Sequence, residues 1–176
     1  MPYYLGLLIA VLSWAGGVYL LTKWHKAEHG SISQHAASTR SAYGFFIALS
    51  LISGSVFYIW LLQYLVPKVP SQLAFTILLS LAMLGQFIAA LIPDRQGWQR
   101  KVHVCGAWGM AVLFLPLSGW LLAADLSRIA WVMCLVCAVY LFGSWTLLAK
   151  LRHRFLAFQL AYVITFEVAL LAAVYL

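Results

Sequence analysis

Six apolar runs of about 20 residues, each closed by a short polar or proline-containing break, constrain this chain more than any other feature. They lie near residues 3–22, 43–66, 71–92, 101–123, 128–149 and 154–175. Each is long enough to cross the hydrocarbon core of a bilayer as a helix. Hydrocarbon offers the backbone no hydrogen bonds, so a spanning segment must satisfy its own N–H and C=O groups, and the runs show no period-2 alternation. The expected fold is therefore all-α: a polytopic integral membrane protein with six transmembrane helices in one bundle, a single domain over residues 1–176.

Composition agrees. Of 176 residues, 65% are hydrophobic and 9% charged, with a mean hydropathy of +0.95, whereas soluble domains are about 45–50% apolar. A soluble globule is excluded. No polar stretch exceeds the one between Leu21 and Tyr43, which leaves no room within these residues for a separate catalytic or DNA-binding domain. The breaks have physical causes. Pro67 and Pro70 bracket a tight turn, Pro93 with Asp94 ends the third run, and Asp125 with Ser127 offers a cap for the fifth. Pro116 lies inside the fourth run, where a kink or a loosened turn is expected. The N-terminal Met-Pro-Tyr-Tyr has no basic flank and no small-residue cleavage site follows Ala10, so the first run is expected to stay.

The formal charge of +7 would point a soluble chain toward nucleic acid, but here the basic residues sit at the ends of apolar runs, where they meet headgroups. Nine of the eleven Lys and Arg fall in the first, third and fifth loops: Lys23, Lys26 and Arg40; Arg95, Arg100 and Lys101; Lys150, Arg152 and Arg154. The second and fourth loops carry only Lys68 and Arg128. This bias assigns the odd loops to the cytoplasm and both termini to the other side. The expected location is an inner membrane, that of a bacterium. All five histidines, His25, His29, His35, His103 and His153, share the basic side, as do Glu28 and Asp94.

Several constellations on that side carry chemistry. His25-Lys-Ala-Glu28-His29 reads as H-x-x-E-H, in which two histidines one helical turn apart bind zinc and the glutamate acts as base. A third ligand would come from Asp94, His103 or His35; the plainer reading is a solvated helix end. His103 and His153 both open helices and are the one pair suited to axial haem ligation. Glu167, well inside the sixth run, needs a cavity, a partner or a polar path. It is read either as a proton, cation or headgroup site, or as a helix tie through Gln86, Ser or Thr of another span. Cys134-Leu-Val-Cys137 is formally C-x-x-C, yet in an apolar helix such a pair more often packs.

Small residues mark close helix approaches. Gly6, Ala10, Ser13 and Gly17 form a stripe on the first helix, Ser50 and Gly54 a pair on the second, and Ala157, Ala161, Thr165, Ala169 and Ala172 a face of the sixth. That last face could also dock a second copy or another subunit. Most tryptophans, Trp60 among them, lie near helix ends and read as interfacial anchors, whereas Trp14 and Trp108 lie deeper and suit a pocket wall.

Loop one reads His29-Gly-Ser-Ile-Ser-Gln-His-Ala-Ala-Ser38 ahead of a helix with Phe45, Phe46 and Gly54, and Ile92-Pro93-Asp94 precedes Val102-His103-Val-Cys-Gly-Ala107. This arrangement resembles the six-helix superfamily of FGF-receptor-activating proteins, damage-regulated autophagy modulators and their prokaryotic relatives. The resemblance implies roles for Ile32, Ser33, Asp94 and His103 and a connection with lipid handling and membrane organisation. Those relatives usually carry loop one on the exoplasmic side, whereas the charge count here assigns it to the cytoplasm.

The leading functional expectation is a bundle without catalytic machinery that binds or moves a lipid or other amphiphile. Its anionic headgroup would be held at the basic, His-rich face by His103, His153, Asp94, Arg95, Arg100, Lys101, Arg152 and Arg154, with Lys150 beside them and Glu167 within the bundle. A second reading is a membrane-embedded metal hydrolase using His25, Glu28 and His29. A third is an accessory subunit of a larger membrane complex, including a redox complex. Membrane lipids are the expected partners, and nucleic acid is not.

Overall fold

In the computed structural model, residues 1–25, 31–126 and 155–176 are described, together with residues 131, 132, 134, 135 and 139. These residues form helices joined by short turns, with no strand among them. We number the helices α1 (Leu5–Lys23), α2 (Ile32–Ala36), α3 (Arg40–Tyr64), α4 (Gln72–Leu91), α5 (Trp98–Ala123) and α6 (Phe155–Tyr175), with a 3-10 turn at Val66–Lys68 between α3 and α4. Among the described residues, four segments, Leu5–Lys23, Arg40–Lys68, Gln72–Leu91 and Trp98–Ala123, are long and apolar enough to cross a membrane. The fifth expected span, near 128–149, falls largely outside the described residues. Its described positions 131, 132, 134, 135 and 139 are helical.

Helix boundaries follow local chemistry. Thr39 caps α3, its hydroxyl accepting from the Ala42 N–H at 3.0 Å, so α3 begins three residues before the expected Tyr43. Ser31 caps α2 in the same way, through the Gln34 N–H at 3.2 Å. That short helix was not expected within loop one. Pro67 lies in the first positions of the 3-10 turn between α3 and α4. Gly97 takes φ 84° before α5, a backbone region that a side chain would resist. α5 continues through Pro116.

The long helices contact one another in the cyclic order α1, α3, α4, α5, α6, with α6 returning to α1. α2 covers one end, against α1 and α3. Three close approaches organise the ring. At Gly6 an added Cβ would lie 2.4 Å from the Trp60 ring, so the missing side chain seats an indole that is 0% exposed. Trp60 is thus a core residue and not the interfacial anchor expected from its place near a helix end. Farther along α1 the close residue is Gly16, whose Cβ would sit 2.7 Å from the Leu49 side chain, while Gly17 has open space. Gly16 therefore replaces the expected Gly17 at the α1–α3 contact.

The tightest backbone approach joins α4 to α5. A Cβ at Gly85 would meet the Gly106 carbonyl oxygen at 2.7 Å, and one at Gly106 would meet the Gly85 oxygen at 2.9 Å. Gly54 of the expected Ser50/Gly54 pair is buried against Phe87 and Met83 of α4. α6 seals the ring with Tyr162, Phe166, Ala169, Leu170, Ala173 and Val174, all buried. Phe166 stacks on Phe114 of α5 with ring centroids 3.5 Å apart, and the Tyr162 hydroxyl donates to the Ala111 carbonyl at 2.5 Å. The expected small face of α6 is divided: Ala157 and Ala161 are exposed, whereas Ala169 and Ala172 are buried in the bundle.

One end of the ring is tied by aromatic residues. The Trp60 indole N–H donates to the Tyr3 carbonyl at 2.9 Å, the Tyr3 hydroxyl to the Val174 carbonyl at 2.7 Å, and the Tyr175 hydroxyl back to the Tyr3 carbonyl at 2.7 Å. Lys68 Nζ donates to the same Val174 carbonyl at 2.6 Å. The other end, where α2 and the α4–α5 loop meet, holds His25, His35, Asp94 and His103.

Candidate functional site

Pro93 shapes this polar end. It cannot extend α4 and it disfavours helical geometry in the residue before it. Ile92 accordingly turns extended, at φ −110° and ψ 113°. Its carbonyl is thereby free of the helix ladder and meets Nδ1 of His103, in the first turns of α5, at 2.8 Å. A carbonyl only accepts, so Nδ1 carries the proton. In the tautomer that carries this proton alone, the lone pair lies on Nε2.

His103 is 6% exposed and lines a cavity of about 90 Å³ whose other walls are Ser31, Ser33, Asp94, Val104, Ala107, Trp108 and Gln159. Four parts of the chain meet there: the α2 segment, the α4–α5 loop, α5 and α6. Ser31 and Ser33 place their hydroxyls 3.1 Å apart. The side-chain oxygen of Gln159 accepts from the Ile32 N–H at 3.1 Å, which fixes α2 against α6. Asp94, with a side chain 12% exposed, lies 3.7 Å from Nε of Arg100, whose own side chain is 59% exposed. Within α2, His35 is fully buried, with Nδ1 2.8 Å from the Ser31 carbonyl, and its ring lies 5.6 Å from that of His25. Leu20, Ala36 and Ala42 form a small core that holds this segment in place.

The residues expected to form one headgroup face are distributed over several places. His103 and Asp94 line the cavity, as does Trp108. Arg95 and Arg100 are exposed beside it on the α4–α5 loop and the start of α5. Lys101 does not belong to the cavity: it lines a groove between α4 and α5. Two positions apart on a helix that turns about 100° per residue, His103 and Lys101 point to nearly opposite faces. Glu167 is elsewhere again, part-buried in the bundle, where its carboxylate accepts from the indole N–H of Trp14. Its helix tie thus runs to α1, and not to Gln86, whose side chain packs near Gly54 of α3.

His25 is exposed at the end of α1, and Glu28 and His29 of the expected zinc motif lie outside the described residues. Among the described residues, no three His, Cys, Asp or Glu side chains gather as a metal site. Lys150, Arg152, His153 and Arg154 are also outside the described residues, and with His153 goes the haem pairing. Sequence reasoning did not single out Ser31 or Gln159. Ser31 carried a signal, since Ser31-x-x-Gln34 has the pattern of a helix-capping box. Gln159 carried none. Comparison with family models, with curated proteins and with solved structures finds no match for this chain.

Proposed function

We propose that the chain spans a membrane as a helical bundle and binds the headgroup of a lipid or other amphiphile in the cavity of Ser31, Ser33, Asp94, His103 and Gln159. One observation carries the reading: four separate parts of the chain contribute polar side chains to a single cavity at the end of an otherwise apolar bundle. Polar groups held out of water are costly unless they are paired or used. The cavity is well below the roughly 300–1,000 Å³ of a whole-ligand pocket, so it suits a headgroup fragment.

The lining sorts the chemistry. A carboxylate at Asp94 only accepts hydrogen bonds, the Nδ1–H tautomer of His103 offers Nε2 as an acceptor, and the serine hydroxyls do either. A hydroxyl- or ammonium-bearing group fits such a wall. Arg95 and Arg100, exposed just outside, suit the phosphate that joins this group to its glyceride, which makes the whole headgroup anionic or zwitterionic. The acyl chains then follow the apolar helix surfaces. The basic loops face the cytoplasm, in keeping with the distribution of Lys and Arg.

Ligand-dependent stability tests the reading. A ligand that binds only the folded state stabilises it as RT ln(1 + [L]/Kd). Purified protein in detergent, offered lipids that differ only in headgroup, is expected to gain thermal stability from one headgroup class, and Ser33→Ala with His103→Asn is expected to abolish the gain. Equal stabilisation by every lipid, in both proteins, would count against a site.

A further inference from the structure

The bundle has a second concavity, on the outer side of the α4–α5 pair. It is a groove of about 440 Å³ bounded by Leu81, Leu84 and Ile88 of α4 and by Lys101, Cys105 and Gly109 of α5. Its depth follows from the backbone contact between Gly85 and Gly106, where neither helix has a side chain to fill the crease. Its floor stays open at Gly109, where an added Cβ would meet nothing within 4 Å. Leu81 and Leu84 are 48% and 54% exposed, so no described helix covers the groove.

Among the described residues, Lys101 is the only charged side chain in the lining. It stands at the end of the groove nearest the α4–α5 loop, and among the described residues it makes no ion pair. From Lys101 to Leu113, the lining residue at the other end, α5 rises about 18 Å. That length matches one leaflet, since half of a hydrocarbon core of about 30 Å is about 15 Å. A second transmembrane helix would need a seam across the whole core. An acyl chain needs one leaflet and brings a phosphate to its outer end.

We propose that this groove is a lipid site distinct from the cavity, holding one acyl chain of an anionic phospholipid with the phosphate on Lys101. The proposal rests on the bundle being membrane-spanning and does not depend on what occupies the cavity. The chain fills the crease left by Gly85, Gly106 and Gly109, and the ammonium of Lys101 selects for net negative charge at the headgroup level.

Native mass spectrometry of the detergent-purified protein, titrated with phosphatidylglycerol or phosphatidylcholine of the same acyl chains, tests it. A lysine at the headgroup level contributes about fivefold in binding an anionic lipid. The wild type is expected to bind one phosphatidylglycerol about fivefold more tightly than phosphatidylcholine. Lys101→Gln should bring the two to equality, and Gly109→Leu, at a position where the added Cβ meets nothing within 4 Å, should weaken both. Equal affinities in the wild type would overturn the proposal, as would a preference that survives both variants. A preference removed by His103→Asn alone would assign the lipid to the cavity instead. A dimer in place of lipid-bound monomer would show that a second copy takes the groove.

Discussion

His103 Nδ1 and the Ile92 carbonyl oxygen lie 2.8 Å apart, a bond that joins the end of α4 to the start of α5 across the Pro93 turn. The same bond sets the tautomer of the imidazole and so determines which nitrogen remains for the cavity. One contact therefore serves both the loop's stability and the site's chemistry, and substitution can separate the two. An asparagine places its amide nitrogen about where Nδ1 lies but has nothing at the position of Nε2. His103→Asn is expected to unfold close to the wild type, while His103→Ala loses about 1–3 kcal/mol by leaving the Ile92 carbonyl without its donor. Chemical or thermal unfolding in detergent compares the two.

The α4–α5 crease yields a contrast between glycines on the same helix pair. Gly85→Ala drives a methyl group into the Gly106 carbonyl and is expected to cost about 1–3 kcal/mol. Gly109→Ala meets open space and is expected to be neutral, or stabilising by up to about 1 kcal/mol through helix propensity. Equal melting temperatures for the two variants would contradict the close approach.

Trp14 and Glu167 form a polar pair within the apolar bundle. Interhelical hydrogen bonds of this kind contribute about 0.6 kcal/mol on average, with a maximum near 1.7. A double-mutant cycle with Trp14→Phe and Glu167→Leu is expected to return a coupling within that range. Strict additivity of the two single changes would show that the pair contributes nothing to holding α1 and α6 together.

At the other end of the bundle, Gly6→Leu is expected to displace the Trp60 ring and break its bond to the Tyr3 carbonyl. Loss of folded protein, or a blue-to-red shift of tryptophan emission as the indole becomes exposed, reads this out. The same change at Gly17, which has open space around it, is expected to leave the emission unchanged.

The start of α4 and the end of α5 were legible because proline or a charge bounds each run there: α4 begins at Gln72 and α5 ends at Ala123, within a residue of the hydropathy boundaries. Packing was legible only where small residues recur along one helix. The spacing on α1 selected Gly17, whereas the Leu49 side chain of α3 lies over its neighbour Gly16, which no pattern within α1 reveals. The Gly85–Gly106 contact was missed, since it needs one glycine from each of two helices and neither sequence repeats. In the site, His103 and Asp94 were legible as polar residues at helix ends. Charge counting by loop could not separate Lys101, which lines the α4–α5 groove, from His103, because it ignores the rotation of about 100° per residue on α5.

The central claim, that the cavity of Ser31, Ser33, Asp94, His103 and Gln159 holds a headgroup, is tested most directly by the lipids that stay with the protein. Mass spectrometry of lipid extracted from purified wild type and from His103→Asn, each normalised to the membrane it came from, makes the measurement. One headgroup class enriched in the wild type and returned to its bulk share in His103→Asn is the predicted result. Bulk ratios in both proteins would contradict it.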